Sequence, residues 1–473
     1  MLTPKHPRNP VTAFFRGLYA ELAFSGESLR INGVGLLFGL VTGLVVGVCG
    51  GVFARLLDVA ADVRNGTAWA MYLLPLAGLV VVWMYRRGGI KTAGGTDLII
   101  QAARGEQPVS RLLAPVIFAA TLLTHFFGGS AGREGAALQL GGSLSELIRK
   151  GAGMGESYQD LAIMCGMSAG FSAVFGSQIA AALFALEISC VGILPLGGLF
   201  PCVVSSLTAG TIARAMGVHG VSFILTASTA DVIFYGQVVA LSLACGLLST
   251  IVCYTFAGVR SGLERLFPNP YLRVLVGSAA VLGLTTLLGT KLYLGTGSDM
   301  IAGAIRDGSA QPLDFVWKLL LTALTLGAGL KGGEIVPSFA IGASFGCVVG
   351  PLLGLQAPYA AAIGMVALFC GVTNCPLTAL VLSFEVFSFC NPGGGGELSG
   401  LRLWRLVRQA EVCLFQVRQP RRPGAYGPPE ARRAPLKTWL APTVLPWYSK
   451  PSGRRGTCPR SLPPRDRERI DLR

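Results

Sequence analysis

Charge is what this chain has least of. Only 13% of its 473 residues are charged, about half the share of roughly 25% found in a soluble domain, and that excludes an ordinary water-soluble globule. Histidine is nearly missing: His6, His125 and His219 are the whole set, and they do not cluster. There is no HExxH run and no pair of acidic residues on one helix face. Metal-assisted and intramembrane acid–base chemistry therefore lack their usual parts, and neither an enzyme, nor a metal, nor a cofactor is expected. The 12 cysteines stand singly, mostly inside apolar runs (Cys49, Cys165, Cys245, Cys253, Cys370). That spacing excludes a metal cage and favours small buried packing residues over bridges. Residues 1–32 carry Lys5, Arg8, Arg16 and Arg30 but no short apolar core ahead of a cleavage site, so a cleaved leader is not expected. The net charge of +15 does not mark a nucleic-acid binder. Residues 391–473 hold 17 Lys and Arg against 6 Asp and Glu, which leaves +4 for the rest.

What is present is apolar: 52% hydrophobic residues and a mean hydropathy of +0.59. Apolar runs fall near 33–54, 69–85, 112–127, 158–175, 178–215, 235–257, 271–289, 315–330, 336–354 and 358–389. The pattern is that of an all-α polytopic membrane protein embedded in a lipid bilayer. Several runs are too short for a simple span of ~20 residues. The 64 glycines fit tilted and broken helices, because glycine permits close packing and abrupt breaks. Arg86, Arg87, Lys91, Arg104 and Arg111 follow the second apolar run, whereas the connection 58–68 holds Asp58, Asp62 and Arg64. An excess of Lys and Arg marks the cytoplasmic side, so 1–32 is read as a cytoplasmic N-terminal segment.

Three landmarks recur in order. GGTDLIIQAARG (94–105) matches TGSDMIAGAIRDG (296–308); GREG (132–135) matches GGEI (332–335); SQIAAALFALEI (177–188) matches CPLTALVLSFEV (375–386). Their near-constant spacing of about 200 residues argues for duplication, with one membrane repeat over 33–220 and a second over 221–390. Joined halves of this kind bind substrate near the bilayer midplane, and spacing alone leaves them parallel or inverted. After Phe389 the composition changes: 391–473 is a basic, Pro- and Arg-rich tail holding 12 of the 27 prolines. Disorder is expected there, because little apolar surface offsets the ordering entropy. Two origins stay open, a native tail that binds lipid headgroups and a shift of reading frame near 392–397.

At each glycine-rich break a helix starts, and its first N–H groups lack intrahelical partners. With the macrodipole they make an anion site. The candidate breaks lie before Thr96, Glu134, Ser298 and Val336. A carboxylate at membrane depth is costly, from ~2.5 kcal/mol upward, and is read as functional by default. Glu134 would compete with an anion for the same donors, and protonation would remove the competitor. The plainer alternative is a Glu134–Arg133 pair completing a cap; adjacent residues project to different faces, which disfavours it. Glu334 stays open between a second proton site, an N-terminal cap and a partner of Lys331. Capping or interfacial roles are expected for Glu187 and Glu385, capping for Asp97 and Asp299, and snorkelling or pairing for Lys331.

GGSAGREGAALQLGGSL (128–144) resembles the gating-glutamate motif of the CLC family of chloride channels and proton-coupled anion antiporters. Similarity runs over roughly 33–390: AGGTD resembles the first anion-binding loop of that family, GLKGGEIVPSFAIGASFG the third, and LFCGVTNCPLTALVLSFEVF a late helix. The resemblance implies two inverted repeats of broken, tilted helices and a homodimer with one pathway per subunit, in the inner (plasma) membrane of a bacterial cell. It implies transport of chloride or fluoride, coupled to protons through Glu134 as the gate. The implied anion-binding set is Gly95, Thr96, Gly132, Arg133, Gly135, Gly332, Gly333, Ile335 and Val336. Four departures leave selectivity and channel-versus-antiporter behaviour open. Ala136 replaces a frequent proline, and Ile188 stands where proton-coupled members have an internal glutamate. Val336 stands where fluoride exporters favour threonine, and the last helix is not recognisable in 391–473.

Overall fold

The computed structural model describes residues 10–67, 69–90, 95–189, 195–226 and 232–390, with side chains described between 33 and 387. The tail 391–473, including its expected disorder, lies outside the described residues. The first half contributes α1 (Pro10–Gly66), α2 (Leu74–Arg87), α3 (Asp97–Ala103), α4 (Leu113–Phe126), α5 (Glu134–Gly151), α6 (Gln159–Phe175), α7 (Gln178–Ser189) and α8 (Leu199–Ala215). The second contributes α9 (Val232–Leu266), α10 (Pro270–Leu288), α11 (Ser298–Arg306), α12 (Asp314–Ala328), α13 (Ile335–Leu352), α14 (Ala357–Thr373) and α15 (Pro376–Val386). The helix α1 is continuous through residue 33, where the sequence places a boundary.

Among the described residues, five helical stretches are long and apolar enough to cross a membrane: 33–66, 196–215, 232–266, 270–288 and 335–352. Shorter apolar helices, such as α4, α7, α14 and α15, account for the runs too short to be full spans. Local chemistry sets many ends. Asn269 caps α10 through its side chain, with Pro270 at the first helical position. The helix α14 stops at left-handed Asn374 (φ 58°), and Pro376 opens α15.

Packing is dominated by small residues, as expected where lipid supplies no hydrophobic drive between helices. Gly35, Gly39, Gly43 and Gly47 form one stripe of α1, which lies on Pro201, Ser205 and Ala209 of α8. A Cβ at Gly43 would sit 2.7 Å from the Ser205 carbonyl oxygen. Gly141 of α5 meets Gly166 of α6 backbone to backbone, and Gly342 of α13 meets Gly364 of α14 in the same way.

Two reciprocal contacts define how the halves are related. Gly132 and Gly333 form an antiparallel bridge in which each N–H donates to the other carbonyl at 2.7 Å. The Glu385 carboxylate accepts from the N–H groups of Ile179 and Ala180 at the start of α7, at 2.8 and 2.9 Å. Glu187 accepts from Leu377 and Thr378 at the start of α15, at 3.1 and 2.9 Å. Contacts in which i meets j and j meets i signal a two-fold axis. Such a two-fold relation is what inverted repeats require. Five rings close a cycle between the halves, Phe171–Phe175–Phe339–Phe369–Phe184, with centroids 5.0 to 5.8 Å apart.

Among the described residues the fold is all-α with one small exception. Residues Phe223–Thr226 (β1) pair in parallel with Phe387–Cys390 (β2), tying the link between the halves to the end of α15.

The bridge also corrects the internal alignment. GREG and GGEI match at a spacing of 200, but Gly132 faces Gly333 and the helices begin at Glu134 and Ile335. The structural counterpart of Glu134 is therefore Ile335, and Glu334 stands in the place of Arg133. In a glycine-rich tract neighbouring glycines match each other equally well, and the one-residue slip is invisible in sequence.

Candidate functional site

Three of the four breaks come together. At Gly135 an added Cβ would lie 2.8 Å from Gly333 Cα and 2.8 Å from the Thr96 hydroxyl oxygen. At Gly132 it would lie 2.8 Å from Pro337 Cδ and 3.2 Å from Glu134 Oε2. Only glycine lets these backbones approach so closely. The starts of α3, α5 and α13 thus converge, carrying with them Gly95, Thr96, Gly132, Arg133, Gly135, Gly332, Gly333, Ile335 and Val336. Gly132, Gly135, Gly333, Ile335 and Val336 are buried, while Gly95, Thr96, Arg133 and Gly332 are half-buried. The fourth break, before Ser298, braces this cluster from the side. The Ala131 N–H donates to the Gly295 carbonyl at 3.1 Å, and the Gly295 N–H to the Gly129 carbonyl at 3.0 Å. Ser298 itself is exposed and shares a hydrogen bond with Thr296 at 2.8 Å.

Glu134 opens α5 and is 1% exposed. Its side chain folds back over the break: Oε2 accepts the Arg133 N–H at 3.1 Å, and Oε1 lies 3.6 Å from Arg133 Nε. The expectation that Arg133 and Glu134 point to different faces is therefore overturned. Arg133 precedes the first helical residue, so helical side-chain divergence does not apply to it. Arg133 also reaches Asp58 of α1, Nη1 to Oδ1 at 3.0 Å. Glu334, by contrast, is exposed, and its carbonyl accepts from the Ser338 N–H at 3.0 Å.

Other assignments divide. Neither Thr96 nor Gly297 makes a side-chain cap, and Asp97 and Asp299 stand inside the first turns of α3 and α11, where their charge suits the dipole. Glu187 and Glu385 do cap helices, each that of the opposite repeat. Lys331 is buried with Nζ 4.4 Å from the centre of the Tyr85 ring. His125 is buried, its Nδ1 2.9 Å from the Thr121 carbonyl.

One residue escaped the sequence reading. Lys318 of α12 is fully buried, and Nζ donates to Ser130 Oγ (3.1 Å) and to the carbonyls of Tyr293 (3.0 Å) and Gly295 (2.7 Å). Those are all the donors an ammonium has. It ties the loop ahead of α5 to the loop ahead of α11. The available signal was a lone cation in the apolar run FVWKLLL (315–321).

Residues 77–391 match the profile described as voltage gated chloride channel. A chloride/fluoride channel protein of Pseudomonas syringae pv. tomato is 33% identical over 345 residues, covering 71% of this chain and 76% of the relative. The chain belongs to the voltage gated chloride channel family. Another family relative, an H(+)/Cl(-) exchange transporter ClcA of Vibrio cholerae, is 24% identical over 58% of this chain and 64% of its own length. Among solved structures, a CLC-type fluoride/proton antiporter superposes with a TM-score of 0.75 at 28% identity, covering 81% of this chain and 95% of that one. A cyanobacterial Cl-/H+ antiporter at 20% identity superposes with a TM-score of 0.67 over 81% of this chain and 94% of that one, a likeness of fold. Members of this voltage gated chloride channel family are multi-pass membrane proteins, and so is this chain.

Proposed function

We propose that this CLC protein moves chloride or a related halide across the inner (plasma) membrane and exchanges it for protons through Glu134. The single observation that carries the reading is a buried carboxylate at the meeting point of three helix N-termini. Those termini supply N–H donors and positive dipole ends, and the full charge of Arg133 beside them is shared with Asp58, which lets an anion bind and leave. Among the described residues, Glu134 is the one carboxylate placed to occupy that spot in the anion's stead. When it takes up a proton it gives up the donors, so anion entry and proton uptake alternate. Gly95, Thr96, Gly132, Arg133, Gly135, Gly332, Gly333, Ile335 and Val336 line or shape the anion site, and Glu334 remains a candidate second proton site. The reading assigns transport rather than catalysis, a homodimer in the bilayer, and a cytoplasmic N-terminus.

Flux from reconstituted liposomes tests it. Glu134→Gln is expected to abolish proton coupling while anion flux persists or rises. Unchanged coupling in that variant removes Glu134 from the mechanism.

Fluoride export is a second reading, supported by the likeness to the Pseudomonas chloride/fluoride channel protein and to the superposed fluoride/proton antiporter. Val336 stands against it. The ratio of fluoride to chloride flux decides: a value well above one is expected under fluoride export, and a value near or below one rules it out.

A further inference from the structure

The Arg133 guanidinium is shared by two carboxylates of opposite character. Glu134 is 1% exposed, whereas the Asp58 side chain is 53% exposed and belongs to another helix, near the far end of the α1 span. Arg133, at 16%, sits between them: Nη1 is 3.0 Å from Asp58 and Nε 3.6 Å from Glu134. Guanidinium does not release its proton at accessible pH, so Arg133 cannot relay protons and acts through its charge alone.

We propose that Asp58 is a positioning residue of the gate: it draws the Arg133 guanidinium outward and offsets its charge, setting how readily Glu134 leaves its buried, ionised position. This rests on the reading of Glu134 as the titrating gate. With Asp58 ionised, Arg133 presents only part of its charge to Glu134. With Asp58 neutral, the same cation holds Glu134 alone, and the ionised, closed arrangement gains. The elements packed around the break add few other charges. They are Arg64 and the exposed Asp62 on α1, His125 at the end of α4, Asp97 at the start of α3, Lys331 and Glu334 before α13, and Lys318 of α12, whose ammonium is bonded to Ser130. On α6, which packs along α5, Asp160 stands in the first turn. His125 feels the Arg133 charge through space, whereas Asp58 meets the guanidinium directly at 3.0 Å, so Asp58 is the group whose removal is expected to be felt most.

The test is anion flux and proton coupling of the full chain in liposomes, across pH, for four proteins: unaltered, Asp58→Asn, Asp58→Glu and Asp62→Asn. Asp62 lies one turn along the same helix and controls for a general change of surface charge. Asp58→Asn is expected to need a proton concentration on the order of three- to tenfold higher for half-maximal flux, as loss of one charge at this range implies. Asp58→Glu should restore most of the unaltered profile, and Asp62→Asn should not move it. An impermeant salt should shrink the Asp58→Asn difference, because an exposed pair is screened. A profile for Asp58→Asn that overlays the unaltered one, or an equal shift in Asp62→Asn, overturns the proposal. The unaltered protein separates the two readings: if it shows no proton-coupled flux at all, the transport reading fails and this proposal with it.

Discussion

The breaks ahead of α5 and α13 share one backbone and differ in what they place on it. Gly132 and Gly333 meet across the two-fold axis, and each helix begins two residues later. The first residue of α5 is Glu134, 1% exposed; the first of α13 is Ile335, 5% exposed. The same buried position thus holds a carboxylate in one half and an aliphatic chain in the other. The asymmetry is reversed one layer away. Lys318 of α12 is fully buried, and its counterpart at the same spacing of 201 residues is the equally buried Ile117 of α4. Duplication supplied the scaffold twice, and single side chains made the two copies chemically unequal. A transport pathway needs that inequality, because two ionised carboxylates at the axis would repel each other and the anion alike.

The largest effect should come from levelling the first difference. Glu134→Gln should remove proton coupling altogether, whereas Glu334→Gln, on an exposed residue in the place of Arg133, should change the coupling ratio less than twofold. Equal losses in paired flux measurements would show that the break before α13 carries protons as well. Levelling the second difference is a matter of stability. Lys318→Met removes three charged hydrogen bonds, although Ala131, Ser130 and Thr322 remain as partners of the Gly295 carbonyl, the Tyr293 carbonyl and the Ser130 hydroxyl, at a cost of about 3 kcal/mol. Thermal unfolding in detergent should show it as a clear loss of melting temperature, and an unshifted curve would mean that water replaces the ammonium. The smallest effect lies where the halves agree. Glu187→Gln and Glu385→Gln each weaken one helix cap, costing about 1 kcal/mol. The Glu187 loss should be the larger, because Glu187 Oε2 also accepts from the Thr378 hydroxyl at 2.7 Å where Ala180 offers Glu385 none, and equal losses would show that this hydroxyl adds nothing.

Much of this was legible in the chain. Glycine-rich breaks between apolar runs, their recurrence and the placement of Glu134 in one of them are local facts, and locality is what sequence displays. The rest depends on contacts between residues far apart. Glu187 and Glu385 read as helix-end residues, but their reciprocal reach spans about 190 to 206 positions. Lys318 escapes a reading of the sequence because its acceptors belong to two remote loops. The pairing of Glu134 with Glu334 failed by one residue, since adjacent glycines offer no side chain to fix register. Arg133 was misjudged for a related reason: a residue just before a helix does not obey the angular rule of the helix.

The Gly132–Gly333 bridge carries a consequence for ancestry and engineering. It is the point where a dimer of identical half-chains would have touched itself, and it is made wholly of main-chain groups, provided both residues stay glycine. Fusion of the halves into one polypeptide was therefore free to vary side chains beyond those glycines and their glycine neighbours while the seam stayed intact. The same reasoning makes the molecule a natural substrate for splitting: two separately expressed halves, cut in the stretch between β1 and α9, would find each other through the same pair of amides.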